Sequence, residues 1–223
     1  MDRYYFLRCV VMLAATCVVA SVQYGSKCSS VKLPAGMTTV TTKWDYCKDV
    51  KGAHFFWNYD ATTFTCAVVT PKGSYVGVGF KVSETEGMWG ADIYVGFNNS
   101  LNQNVLEDMI SVKPAGATGE GGRPTKDATQ NGRLLSISHV GTKSLFEFSR
   151  PLAAADQQDV TIDPTKKIEI LWASGAVQAD RISNHGTTNR GHAYVDLSSG
   201  ATSIYNLTTV CLTIMFSWIV QAL

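Results

Sequence analysis

Between Lys51 and Leu197 the sequence is a train of short strand-like runs parted by turn residues, and this pattern constrains the fold more than any single motif does. HFFWNYD is aromatic-rich and ends at Asp60, and TFTCAVVT is closed by Pro71 and Gly73. In SYVGVGFKV, Val76, Val78 and Phe80 fall on one face while Gly77 and Gly79 fall on the other, the period-2 alternation of a pleated strand. ADIYVGFNN, VLEDMISV, RLLSISHV, SLFEFSR, KIEILWASG and HAYVDLSS continue the series. Gly141, Thr142 and Lys143 read as the turn of a hairpin between RLLSISHV and SLFEFSR. No 3.6-residue periodicity of useful length lies between these runs. Many short strands with turns between them predict one all-β domain over residues 51–197, an antiparallel sandwich or barrel.

The two ends of the chain follow other rules. Residues 1–20 carry Arg3 and Arg8 before a run of about a dozen apolar residues, too short to span a bilayer, which needs about 20. This is the pattern of a secretory signal peptide cleaved after Ala20. Residues 21–50 form a polar lead-in with few periodic signals. Residues 198–223 run from a small, polar stretch with Ser198, Ser199 and Gly200 into an uncharged apolar segment from Leu207 to Leu223. That order suits a GPI attachment signal, with a retained C-terminal membrane helix as the alternative. Either reading places the chain at the extracellular face of the plasma membrane.

Charge narrows the partners. The chain has 19 basic and 18 acidic residues, and removal of the signal segment with Asp2, Arg3 and Arg8 leaves 17 of each. A neutral domain with no basic run lacks the electrostatic footprint of a nucleic-acid binder. Of six cysteines, Cys28, Cys47 and Cys66 lie between the terminal segments. An oxidising compartment predicts one disulfide and one spare thiol, and three pairings exist. Cys66 shares a strand face with Phe64 and Val68, so it reads as a buried thiol and Cys28–Cys47 as the bridge. Asn98-Asn99-Ser100 is a glycosylation sequon in an expected turn; Asn206 opens a second one in the tail. The Gly-rich stretch Lys113–Arg133 has no apolar periodicity and reads as a long loop.

Histidine is scarce. His54 and His139 lie inside strand-like runs, whereas His185 lies in SNHGTTNRGHAYVDL, a loop rich in Gly and Asn that follows the apolar strand IEILWASG. Loops on a rigid scaffold carry functional residues more often than cores do. Met88 sits in ETEGMWGADIYVG, at the junction of two strands. From the residues alone it reads as a gap-filling core side chain.

YVGVGF followed by MWGADIYVG, with HFFWNYD upstream and ILWASG, HGTTNRG and YVDL downstream, resembles the motif order of DOMON domains from about Lys51 to Leu197. The resemblance implies an immunoglobulin-like β-sandwich. In the haem-binding branch, a Met and a His similar in position to Met88 and His185 bind iron axially, here 97 residues apart. It therefore implies a haem b electron carrier, with Met88 and His185 as ligands, His192 as the alternative histidine, and Arg181 and Arg190 as partners of the propionates. A thioether and an imidazole complete the iron's coordination and favour electron transfer over oxygen activation. Val76, Val78 and Phe80, or Phe55 and Trp57, are the expected apolar lining. The implied partner is a separate redox protein or a small reductant.

The copper-monooxygenase branch keeps the fold without that role, and a non-haem module binding a sugar, lipid or protein stays open. HExxH, GxSxG, paired CxxC and GxGxxG before a helix are all missing, so no catalytic residue is assigned. Glu84 and Glu86 resemble a carboxylate pair but read as a solvated turn. The chain is expected to be an electron carrier or accessory domain rather than an enzyme by itself.

Overall fold

The computed structural model describes residues 23–24, 28, 31–82, 87–113 and 123–197. The signal segment 1–20, the tail 198–223 with Asn206, the pair Glu84 and Glu86, and residues 114–122 of the Gly-rich loop lie outside the described residues. Fifteen strands are found among those described: β1 (Gln23–Tyr24), β2 (Lys43–Trp44), β3 (Tyr46–Val50), β4 (Ala53–Tyr59), β5 (Thr63–Pro71), β6 (Tyr75–Lys81), β7 (Asp92–Asn98), β8 (Asn104–Ile110), β9 (Thr125–Lys126), β10 (Arg133–Val140), β11 (Lys143–Pro151), β12 (Lys167–Gly175), β13 (Val177–Gln178), β14 (Arg181–Ile182) and β15 (Arg190–Asp196). No helix among the described residues is long and apolar enough to cross a membrane.

Two antiparallel sheets make the sandwich. One has the order β10-β11-β5-β4-β3 and the other β15-β12-β6-β7-β8-β9. The alternation in each strand decides which side chains meet between them. Phe55 and Trp57 of β4, Phe64, Cys66 and Val68 of β5, and Phe146 and Phe148 of β11 face Val76, Val78 and Phe80 of β6 and Ile168, Ile170 and Trp172 of β12. The central strands β4 and β5 are held in register by pairs such as Trp57 with Cys66. Gly96 of β7 faces this core because a Cβ there would run into the Phe146 ring. Cys66 is a free, buried thiol, and burial pushes its pKa up.

A buried ion pair links the sheets at one end. Arg150 of β11 donates to Asp92 of β7 at 2.5 Å and to the Val160 carbonyl at 2.7 Å, while the Val160 N–H donates back to Asp92 at 3.0 Å. The guanidinium lies over the Phe80 and Tyr94 rings at 5.7 and 5.3 Å. Buried charges persist only with such full pairing.

The segment expected to be a polar lead-in belongs to the packed domain. Tyr46–Val50 is the edge strand β3, paired with β4. Val31, Met37 and Trp44 cover Phe56, Ala67, Val69 and Leu145 on the outer face of the five-stranded sheet. Cys28 and Cys47 form a disulfide that ties this segment to β3. The Gly-rich loop is shorter than the sequence suggests, since Thr125–Lys126 pairs with the end of β8.

Candidate functional site

The outer face of the six-stranded sheet is the third place where apolar side chains collect. Cross-strand partners share a face, so the register builds it row by row. His192, Leu171, Gly79, Ile93 and Met109 form one row. Arg190, Ala173, Gly77, Val95 and Glu107 form the next. Tyr75 and Phe97 close one end, and Lys81, Glu169 and Tyr194 the other. Ile93, Val95, Phe97 and Met109 are buried here, with Met88, Leu171, Ala173, Val177 and Ile182 packed beside them.

Two glycines sit in the middle of this face. A strand interior disfavours glycine, and one there often marks the close approach of a ligand or another backbone. A Cβ at Gly77 would lie 3.6 Å from Val95, and one at Gly79 would lie 3.4 Å from Ile93 and Leu171, which are ordinary contacts. Protein packing therefore does not demand these glycines, in contrast to Gly96. They leave a shallow floor bordered by apolar side chains.

Met88 reaches this floor from the β6–β7 connection. Its tight turn uses positive φ at Gly87 (63°) and Gly90 (75°). The Ala91 N–H donates to the Met88 carbonyl at 3.1 Å, and the Gly90 N–H to the Ser111 carbonyl at 2.7 Å. Lys81, almost wholly buried, donates to the Gly87 carbonyl at 2.9 Å and lies 3.4 Å from Glu169. The turn is thus anchored to β6, to Ser111 just past β8 and, through the Lys81–Glu169 pair, to β12.

His185 arrives from the long excursion between β12 and β15. β13 and β14 form a hairpin whose turn residues Ala179 and Asp180 both have positive φ. The Asp180 carboxylate accepts the Ser100 N–H at 2.7 Å and the Ser100 hydroxyl at 2.9 Å, which pins the hairpin to the β7–β8 turn. Tyr75 donates to the Ser183 carbonyl at 3.0 Å. Burial raises the Tyr75 pKa to about 12, so its proton stays in place for that bond. His185 is half-buried, with Nδ1 at 2.7 Å from the Gly186 carbonyl. A carbonyl only accepts, so Nδ1 carries a proton, and Nε2 is the nitrogen a metal would take.

Met88 and the His185 excursion, through Ile182, therefore border one apolar cluster. Arg181 lies on β14 opposite Gln178, and Arg190 opens β15 opposite Ala173; both are exposed. His192 is on the same face, half-exposed, with Nδ1 at 2.7 Å from Glu169. His54 contacts Asp49, and His139 lies 2.8 Å from the Ser144 hydroxyl.

One expectation is corrected. Val76, Val78, Phe80, Phe55 and Trp57 do not line a slot for a cofactor; they fill the core between the sheets. The apolar surface beside Met88 is the opposite face of β6, which the sequence presents as two glycines. Asn98 ends β7, where its Nδ2 donates to Asn104 at 2.9 Å. The buried Lys81 and Glu169 at one end of this face, and Tyr75 at the other, were not singled out from the sequence, because each falls at an ordinary strand position with no motif around it.

The DOMON domain profile matches residues 49–175, more than half of the 223-residue chain. No curated protein matches the sequence significantly. Among solved structures, the chain is similar to the cytochrome b domain of pyranose dehydrogenase from Coprinopsis cinerea, at 12% identity and a TM-score of 0.48, over 69% of this chain and 80% of that one.

Proposed function

The chain belongs to the DOMON domain family, and from that premise we propose that it binds haem b on the outer face of its six-stranded sheet and carries electrons between partners. The observation that carries the reading is the floor at Gly77 and Gly79, bordered by Met88 on one side and by the excursion that holds His185 on the other. The donor set fits the group: a soft thioether, and an imidazole whose Nδ1 is committed to a backbone carbonyl. Arg181 and Arg190 are the cations assigned to the propionates. Bound haem would supply a one-electron couple. The chain's own residues orient it: Lys81 holds the Met88 turn, Tyr75 holds the His185 segment, and the Asp180–Ser100 contact fixes the hairpin.

The proposal extends to context. The carrier is secreted by its signal segment and held at the outer face of the plasma membrane by its C-terminal segment. It exchanges electrons with a separate redox protein or a small reductant.

Absorption spectroscopy tests the site. Chain produced with haem available should show, when reduced, a Soret band with sharp α and β bands. Met88→Ala and His185→Ala should each lose the sharp bands while keeping the far-UV circular dichroism of the parent. Unchanged bands in both variants would overturn the ligand assignment. An unchanged spectrum in His185→Ala with loss in His192→Ala would move the second ligand to His192.

A further inference from the structure

Five aspartates converge at the end of the sandwich where the sheets are bolted together. Asp92 begins β7, Asp108 lies in β8, Asp127 follows β9, and Asp156 and Asp159 lie in the β11–β12 connection. Carboxylate oxygens of Asp92, Asp108 and Asp159 come within 4.8 Å of one another, and so do those of Asp127, Asp156 and Asp159. No sequence motif announces them, since the first and last lie 67 positions apart.

One oxygen of each carboxylate has a donor. Asp92 Oδ2 accepts from Arg150 and the Val160 N–H. Asp108 Oδ2 accepts the Asn131 N–H at 3.3 Å. Asp159 Oδ2 accepts Asn131 Nδ2 at 2.6 Å and the Ala155 N–H at 2.7 Å. Asp127 and Asp156 each accept a local N–H, from Thr129 and Gln158. Asp108 Oδ1 and Asp159 Oδ1, by contrast, are both buried and without a hydrogen-bond partner. Asp108 is wholly buried.

An orphaned buried acceptor costs about 1–3 kcal/mol, more when charged, and calls for a partner. Two such oxygens in one cluster point to a shared cationic one. Arg150 pairs with Asp92 and compensates one of the five carboxylates. Crowding leaves its mark on Asp108, whose carboxyl is pushed up to about 7 by burial and then by Asp92 and the other aspartates.

We propose that Asp108 and Asp159, with Asp92 behind them, bind a hard divalent cation of the calcium class, and that Asp127 and Asp156 form the outer wall of its approach. An all-oxygen donor set selects hard ions. Calcium accepts six to eight irregularly placed oxygens, whereas magnesium demands near-ideal octahedral geometry. The ion would tie β7 and β8 to the β11–β12 connection, and so fasten the strand that follows the Met88 turn. The assignment does not rest on haem.

The full chain, stripped with EDTA and dialysed, should be titrated with calcium chloride and with magnesium chloride by calorimetry. One calcium per chain is expected, bound at least tenfold more tightly than magnesium. A hundredfold excess over Kd should raise Tm by about 5–10 °C. Asp159→Asn and Asp108→Asn should each weaken calcium binding at least tenfold, while Asp45→Asn, away from the cluster, should not. Should Asp108→Asn fail to fold without metal, Asp159→Asn and the wild-type titration decide. No calcium uptake by the wild type, uptake untouched by Asp159→Asn, or a preference for magnesium would overturn the proposal.

Discussion

The two outer faces of this sandwich are made by the same alternation and are covered differently. On the five-stranded sheet, Phe56, Ala67, Val69 and Leu145 are closed over by the chain's own Val31, Met37 and Trp44. That cover is locked by the Cys28–Cys47 bridge, and by Glu147, which accepts the N–H groups of Val40 and Thr41 at 2.7 and 2.8 Å. On the six-stranded sheet the cover is two loop segments, and the floor beneath holds glycines where a side chain would fit. One face uses bulk and covalent closure, which serve stability. The other has two glycines at its centre and anchored turns at its rim, an arrangement that suits the proposed haem site.

Substitutions should separate the faces. Trp44→Ala removes a wholly buried indole and should cost about 3–5 kcal/mol in chemical denaturation while leaving haem uptake intact. A loss below 1 kcal/mol would mean that the N-terminal cover is not integral. Replacing Cys28 and Cys47 with serine opens a link between residues 19 apart, and should cost about 3 kcal/mol on the loop-entropy estimate.

The aspartate end should respond to pH instead. Asp108 binds its proton more tightly folded, at about 7, than unfolded, near 3.9. Its stabilising contribution is therefore full below the unfolded value and is lost as pH rises through about 7. Metal-free protein should lose about 2–4 kcal/mol from this group between pH 4 and pH 8. Asp108→Asn should flatten that slope in urea melts taken across the range, and an unchanged slope would exclude Asp108 as its source. The smallest effect is on the glycine floor. Gly79→Ala should change apo stability by less than about 1 kcal/mol, because the added methyl meets only ordinary contacts.

Much of the sandwich was legible because strand alternation is local. The hairpin at Gly141, with its positive φ, and the spare thiol at Cys66 followed from turn chemistry and from strand phase. The shared face of Val76, Val78 and Phe80 was legible too, but not which side of the sheet would be enclosed. That depends on how two sheets stack, which no single strand encodes. Val31 and Met37 escaped notice because they lie in irregular chain, and Trp44 because its two-residue strand is too short to show a period; their burial comes from tertiary contact. The aspartate cluster had no readable signal, since it is assembled from distant strands and one long connection. His185 and Met88 stood out by their positions, but their role as haem ligands came only from the resemblance, and their anchors Lys81, Tyr75 and Asp180 only from the structure.

Titration of haem into the purified chain, compared with Gly79→Leu, tests the assignment of the six-stranded face most directly. One haem per wild-type chain, and none in a Gly79→Leu protein that retains its circular dichroism, is the predicted result. No uptake by the wild type, or equal uptake by Gly79→Leu, would contradict it.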